Sequence, residues 1–140
     1  MSAEFFLDTN VVVYTFDASE PAKRERARAL MRKALDGRRG AVSWQVVQEF
    51  ANLALRKFAR PLTPAACSAY LRAALFPICA VWPSPALMES ALDVHALSGW
   101  HWYDSLIVAS ALEAGCGILY SEDLQAGRRI RGLEIRNPFA

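Results

Sequence analysis

The segment Phe5-Phe6-Leu7-Asp8-Thr9-Asn10-Val11-Val12-Val13-Tyr14 sets two apolar runs on either side of a polar triplet. Read as one strand, it would leave Asp8 and Asn10 poorly paired in the middle of a ladder. Short polar side chains bond their own neighbouring backbone and so favour turns and caps. The segment therefore reads as a short buried strand ending at Leu7, a polar turn, and a short helical turn. The rest of the chain repeats that alternation.

Ser19-Glu20-Pro21 reads as a helix start, with a capping hydroxyl, an acid in the first turn and an early proline. Ala27, Leu30, Met31, Ala34 and Leu35 follow at helical spacing until Asp36-Gly37 ends the run. Ala41-Val42-Ser43 reads as a second strand. Trp44 to Phe58 reads as a helix with Val46, Val47, Phe50, Leu53, Ala54 and Phe58 turned inward. Pro61 breaks it, Thr63-Pro64 starts another helix that runs to about Leu75, and Ile78 to Val81 reads as a strand. Ser84-Pro85 opens a helix that Gly99 closes after Ser98. Trp102 to Ala114 is the most apolar helix, and Gly117 to Tyr120 and Leu133 to Arg136 are the last two strands. These strands are short, apolar and without polar alternation, as strands covered on both faces are. The expected fold class is α/β: an α/β/α sandwich around a central parallel sheet of about five strands. A single domain over residues 1–140 is expected.

A hydrophobic content of 54% in 140 residues supplies a packed core and excludes a disordered chain. The longest apolar run, Ala73 to Pro83, is interrupted by Pro77 and is shorter than the roughly 20 residues of a membrane span. Met1-Ser2-Ala3-Glu4 carries an acid where a secretory leader carries bases, so a soluble, cytoplasmic protein is expected. Cys67, Cys79 and Cys116 form no CxxC pair and stand at no zinc-ligand spacing with His95 and His101; they are expected as reduced core residues.

The net charge of +2 is unevenly spread. Lys23 to Arg39 holds eight bases against two acids, and Arg128 to Ala140 holds four against one, whereas the remainder holds four bases against eleven acids. Basic flanks around an acidic centre suit a protein that holds a polyanion over bound cations. Lys23, Arg24, Arg28, Arg32, Arg128, Arg129 and Arg131 are candidate phosphate contacts, with a merely solvated face as the other reading. Trp100, Trp102 and Tyr103 are candidates for stacking on bases or for core packing.

Four acids adjoin strongly apolar sequence. Asp8 follows Phe5-Phe6-Leu7, Glu49 lies between Val46-Val47 and Phe50, Asp104 leads into Leu106-Ile107-Val108-Ala109, and Asp123 follows Ile118-Leu119-Tyr120. A buried carboxylate is costly unless something compensates it. Asp8 and Asp123 follow strands, at the carboxyl edge of a parallel sheet, where ligands bind. Glu49 and Asp104 fall within the first two turns of helices, whose N-termini favour negative charge. Each acid has a plainer role open to it: Asp8, Asp104 and Asp123 as caps, Glu49 as a solvated side chain. Jointly they have no basic partner in the local sequence, and convergent unpaired acids are best explained by divalent cations. All-oxygen donors suit magnesium or manganese rather than zinc. His101 reads as an aromatic-packed or surface residue.

Several segments, in this order and at these separations, resemble the PIN-domain nucleases. They are Phe6 to Val11, Ser43 to Phe50 with its Gln48-Glu49-Phe50, Trp102 to Ala111, Leu119 to Leu124, and Asn137-Pro138-Phe139. The likeness is close to the toxin branch, the VapC-type ribonucleases of bacterial toxin–antitoxin modules, and covers nearly the whole chain. It implies that Asp8, Glu49, Asp104 and Asp123 are catalytic acids that bind Mg2+ or Mn2+. It implies that Asn10 supports Asp8 and that Ser121 matches a Ser/Thr before the last acid. Glu122 either joins the site or faces outward. The implied activity is endoribonuclease cleavage of RNA, with a cognate antitoxin as partner and a homodimer as assembly. A phosphatase with an aspartyl nucleophile is the alternative enzyme, but that chemistry commonly wants a second acid where Asn10 stands. A catalytically inactive PIN-like binding module is the non-enzymatic alternative, and none of the acids is lost.

Overall fold

Phe5–Leu7 forms β1, and all three of its residues are buried. It occupies an inner position of the sheet because an apolar strand with no polar face is stable only where both faces are covered. The structure, a computed structural model, describes residues 2–140. Two helices, a strand and two more helices follow: α1 (Thr9–Tyr14), α2 (Pro21–Leu35), β2 (Gly40–Ser43), α3 (Trp44–Arg56) and α4 (Pro64–Tyr70). Then come β3 (Cys79–Val81), α5 (Pro85–Ser98), α6 (Trp102–Glu113), β4 (Ile118–Tyr120), β5 (Arg129–Ile130) and β6 (Leu133–Arg136).

The sheet order is β3-β2-β1-β4-β6-β5. The five strands expected from the sequence are parallel, with Phe6 opposite Ala41 on one side and Leu119 on the other. A sixth, β5, is a two-residue antiparallel addition that pairs Arg129 with Glu134. From β1 the chain proceeds outward to β2 and β3, then returns to place β4 on the other side of β1. This reversal opens a crevice beyond the carboxyl ends of β1 and β4, the usual place for a ligand in such sheets.

Local chemistry explains the ends of most elements. Ser43, Thr63 and Ser84 each accept a backbone N–H in the first turn of the helix that follows them. Gly99 closes α5 with φ 73°, a left-handed conformation that glycine adopts without strain. Ser19 does not cap α2 as expected; its hydroxyl and N–H donate to Asp17, and α2 starts on Pro21 without a side-chain cap. The helix after Thr63 does reach Leu75, but its last turn widens to π spacing, with the Phe76 N–H reaching Leu71. Pro77 has no N–H to offer the next carbonyl, so the regular ladder cannot continue, although Phe76 itself keeps helical backbone at φ −59° and ψ −42°.

The core runs through Phe6, Leu7, Phe50, Leu75, Leu119, Leu133 and Ile135. Helix α6 is buried without interruption from Ser105 to Ala111. Ser105 and Ser110 are tolerated there because each hydroxyl donates to a carbonyl, of Trp100 and Leu106. Among the described residues no helix is long and apolar enough to cross a membrane.

Gly40 is a close-approach point between α2 and the sheet. A Cβ there would stand 2.7 Å from the Phe5 ring and would overlap Ala34. Gly40→Ala is expected to destabilise the fold by about 1–3 kcal/mol, the usual cost of overpacking. Gly99→Ala meets no neighbouring atom and carries only the backbone strain of its positive φ. Urea denaturation should rank Gly40→Ala as the more damaging; equal midpoints for parent and Gly40→Ala would show that the contact relaxes freely.

Candidate active site

Asp8 sits where β1 ends, and its N–H is taken by the Tyr120 carbonyl of β4 at 3.0 Å. The side chain is 7% exposed. Its Oδ1 accepts the Thr9 N–H at 2.7 Å, which makes it the N-cap of α1. Its Oδ2 accepts the Ser121 hydroxyl at 2.7 Å and the Asn10 amide at 3.3 Å. The capping role and a site role thus coexist in one residue.

Ser121, fully buried just beyond β4, also accepts the N–H groups of Asp123 and Leu124 at 3.2 and 3.3 Å. It therefore fixes Asp8 and folds the turn that carries Asp123. Asn10 works across the same gap. Its amide donates to Asp123 Oδ2 at 3.0 Å as well as to Asp8, and its Oδ1 accepts the Glu122 N–H at 3.2 Å.

Glu49, on the second turn of α3, accepts the Thr9 hydroxyl at 2.6 Å and the Gln45 amide at 3.4 Å. The same Gln45 amide reaches the Tyr103 carbonyl at 3.3 Å and links α3 to the start of α6. Asp104 lies in the first turn of α6 without acting as its cap. All four acids line one open cavity of about 590 Å3 at the carboxyl edge of the sheet. Thr9, Tyr14, Asp17 and Gln45 also line it. Sequence reasoning passed over these four; the Asp8-Thr9-Asn10 triplet was a signal for Thr9, whereas nothing local marked Tyr14 or Gln45.

The electrostatics follow from the burial. Desolvation pushes the Asp8 carboxyl up to about 6, against the lowering effect of the Ser121 and Thr9 hydrogen bonds, and Glu49 and Asp123 push it further up. Asp104 is also raised, first by burial and then by Asp123, with His101 opposing. Among the described residues no Lys or Arg forms a salt bridge with Asp8, Glu49, Asp104 or Asp123. Glu122 differs. It accepts the Tyr14 hydroxyl at 2.6 Å and the Lys23 ammonium at 2.7 Å, and these bonds hold its carboxyl below the usual range. Glu122 is on the cavity wall, but its charge is already matched.

The donor set is all oxygen, which suits a hard divalent cation. Among the described residues no three Asp, Glu, His or Cys are gathered closely enough to cage an ion as they stand. An open set of this kind suits magnesium or manganese, which keep several waters and bind through one or two carboxylates. His101 is exposed and its ring stacks beside Tyr103 at 6.2 Å. Trp100 and Trp102 pack against the core, whereas Tyr103 is 56% exposed.

Because Asp8 is raised in the fold above its unfolded value of 3.8, its contribution to stability is complete below pH 4 and is lost as pH rises through about 6. In a chelator, Asp8→Asn should therefore gain stability relative to the parent as pH rises from 4 to 7, by up to about 3 kcal/mol. Thermal melts across that range measure it. A difference that stays constant with pH would mean that Asp8 carries no strained charge.

The sequence matches the PIN domain over residues 5–131. No curated protein sequence matches it. DNA-bound VapBC from Salmonella typhimurium shares the fold with a TM-score of 0.64 at 20% identity, over 97% of this chain and 98% of that one. VapBC2 from Rickettsia felis, bound to a promoter DNA fragment, gives 0.64 at 15% identity, over 95% and 97%. VapC20 from Mycobacterium tuberculosis, a toxin that cleaves the sarcin-ricin loop, gives 0.54 at 21% identity, over 86% and 90%. At these identities the likeness is one of fold. The sequence match, which runs from β1 to just past β5 in a chain of 140 residues, shows that this protein belongs to the PIN-domain family.

Proposed function

We propose that this chain is a divalent-metal-dependent endoribonuclease and the toxin of a type II toxin–antitoxin pair. One observation carries the reading: four carboxylates with no Lys or Arg salt-bridge partner among the described residues line a single cavity at the carboxyl edge of the sheet. Membership of the PIN-domain family and the fold shared with VapC toxins support it.

Asp8, Glu49, Asp104 and Asp123 are the residues that would hold magnesium or manganese. When bound, such an ion supplies a water of lowered pKa and a counter-charge for the phosphate under attack. The protein's own part is orientation. Ser121 and Asn10 fix Asp8 relative to Asp123, and Thr9 fixes Glu49 relative to Asp8. Asp104 and Asp123 are less buried than Asp8, which supports one of them as the acceptor of a proton from the attacking water. Asp8 is a poor candidate for a phosphatase nucleophile, because Asn10 stands where that chemistry commonly wants a second acid.

The antitoxin has a suitable seat. A second cavity of about 550 Å3 is lined by Phe16, Phe58 and Leu62 with Lys57 and Arg60, and it shares Val13 and Asp17 with the acid cavity. A segment lying there can reach the acids with a basic side chain. Helix α4 and the turn after it offer no such groove, since they bury Cys67, Ala74 and Leu75 in the core. Exposed Trp82, Met88 and Leu92 support a homodimer, since apolar groups grouped on a surface mark interaction sites. Three free thiols agree with a cytoplasmic setting.

Purified protein should cut single-stranded RNA in magnesium or manganese and stop in excess chelator. Asp104→Asn should lower the rate by about 10²–10⁴-fold. Cleavage that survives both the chelator and Asp104→Asn would overturn the reading. Light scattering should give twice the 15.5 kDa chain mass, and co-expression with the small protein of the adjacent reading frame should suppress toxicity and yield a complex. A monomer at every concentration, or no binding in titration, would remove the corresponding partner.

A further inference from the structure

Six carboxylates line the acid cavity: Asp8, Asp17, Glu49, Asp104, Glu122 and Asp123. A nucleic-acid strand carries a negative charge on every phosphate, so a cavity of this sign repels it unless a cation stands at the mouth. Among the described residues one Lys or Arg forms a salt bridge with any of the six. It is Lys23, 2.7 Å from Glu122. Three other bases of α2 are engaged elsewhere. Arg26 donates to the Pro138 carbonyl, Arg28 to the Thr15 carbonyl, and Arg32 pairs with Glu25.

Lys23 is held from several directions. Besides Glu122, its ammonium reaches the Tyr14 hydroxyl at 3.5 Å and lies 5.1 Å from the Tyr14 ring and 5.8 Å from the Phe139 ring. The two rings meet edge to face at 4.9 Å. Tyr14 and Glu122 are bonded to each other, and the Glu122 N–H donates to Asn10, whose amide holds Asp8 and Asp123. The ammonium is thus tied into the frame that positions the acids, yet its side chain stays 32% exposed. A lysine on a helix surface ordinarily samples many rotamers; these contacts restrict this one before any ligand arrives, which is the arrangement of a preorganised binding group. An ammonium has three donors, and Glu122 takes one of them at short range. Glu122 offsets the charge at long range and leaves a directed donor at one position.

We propose that Lys23 is a phosphate-binding residue of this site, positioned by Glu122 and Tyr14 to take a backbone phosphate of the substrate strand beside the one that enters the acid cavity. The proposal rests on the ribonuclease reading.

Binding of a fluorescent single-stranded RNA to the Asp104→Asn protein in magnesium, over a range of salt, separates the two. Lys23→Gln in that background should raise Kd about five- to tenfold at low salt and reduce the salt slope of log Kd by about 0.7, the share of one phosphate contact. Lys23→Met, which keeps an aliphatic stem without the charge, should do the same, and Lys23→Arg should recover most of the affinity. Lys33→Gln, near the far end of α2 and against Phe5, should change neither quantity. An unchanged Kd and slope in Lys23→Gln and Lys23→Met, even with a lowered melting temperature, would show a purely structural lysine and overturn the proposal alone. Failure of the Asp104→Asn protein to bind RNA, together with no RNA cleavage by the parent in magnesium, would overturn the ribonuclease reading as well.

Discussion

The buried carboxylate of Asp8 is the constraint around which the site is organised. It stands at the end of the inner strand β1, is held by the Ser121 hydroxyl, the Asn10 amide and the Thr9 N–H, and faces no cation among the described residues. Neutral donors satisfy its lone pairs but do not cancel its charge, so burial still wins and the carboxyl rises to about 6. A lysine or arginine in this position would have relieved that penalty. The chain instead keeps the charge uncompensated and adds Glu49 and Asp123 nearby, both of which push Asp8 in the same direction. Such an arrangement lowers the stability of the isolated fold, and a bound cation would restore it by mass action.

The parallel sheet makes this arrangement possible. The register that pairs Leu7 with Tyr120 brings the end of β1 beside the end of β4, so residues 113 apart in sequence share one hydrogen-bonded frame. Ser121 is economical here: one hydroxyl fixes Asp8 and receives two N–H groups of the turn that carries Asp123. Glu122 and Lys23 extend the frame outward to α2. The acidic interior and the basic helix are therefore connected by named bonds rather than by overall charge balance.

Much of this was legible in the sequence because the signals were local. The five parallel strands are runs of apolar residues bounded by turns, and Thr63-Pro64, Ser84-Pro85 and Gly99 mark helix ends by their backbone chemistry. The four acids stood out because each interrupts or abuts apolar sequence. What was not legible depends on long-range contact. Strand β5 has two residues and exists by virtue of its pairing with β6. The Ser19 hydroxyl was drawn to Asp17 rather than to the helix. The alternatives for Glu122 could be separated only once Tyr14 and Lys23, from distant positions, were seen to match its charge. Thr9, Tyr14 and Gln45 likewise acquire roles through residues far away in the chain.

The central claim is that the uncompensated carboxylates around Asp8 form a cation site. Direct titration of manganese into the chelator-treated protein, with free manganese followed by electron paramagnetic resonance, tests it without reference to catalysis. The expected result is saturable binding to the parent that weakens by at least about tenfold, or roughly 1.4 kcal/mol, in both Asp8→Asn and Asp104→Asn. Manganese that stays free at millimolar concentration, or that binds the parent and both variants equally, would contradict the claim.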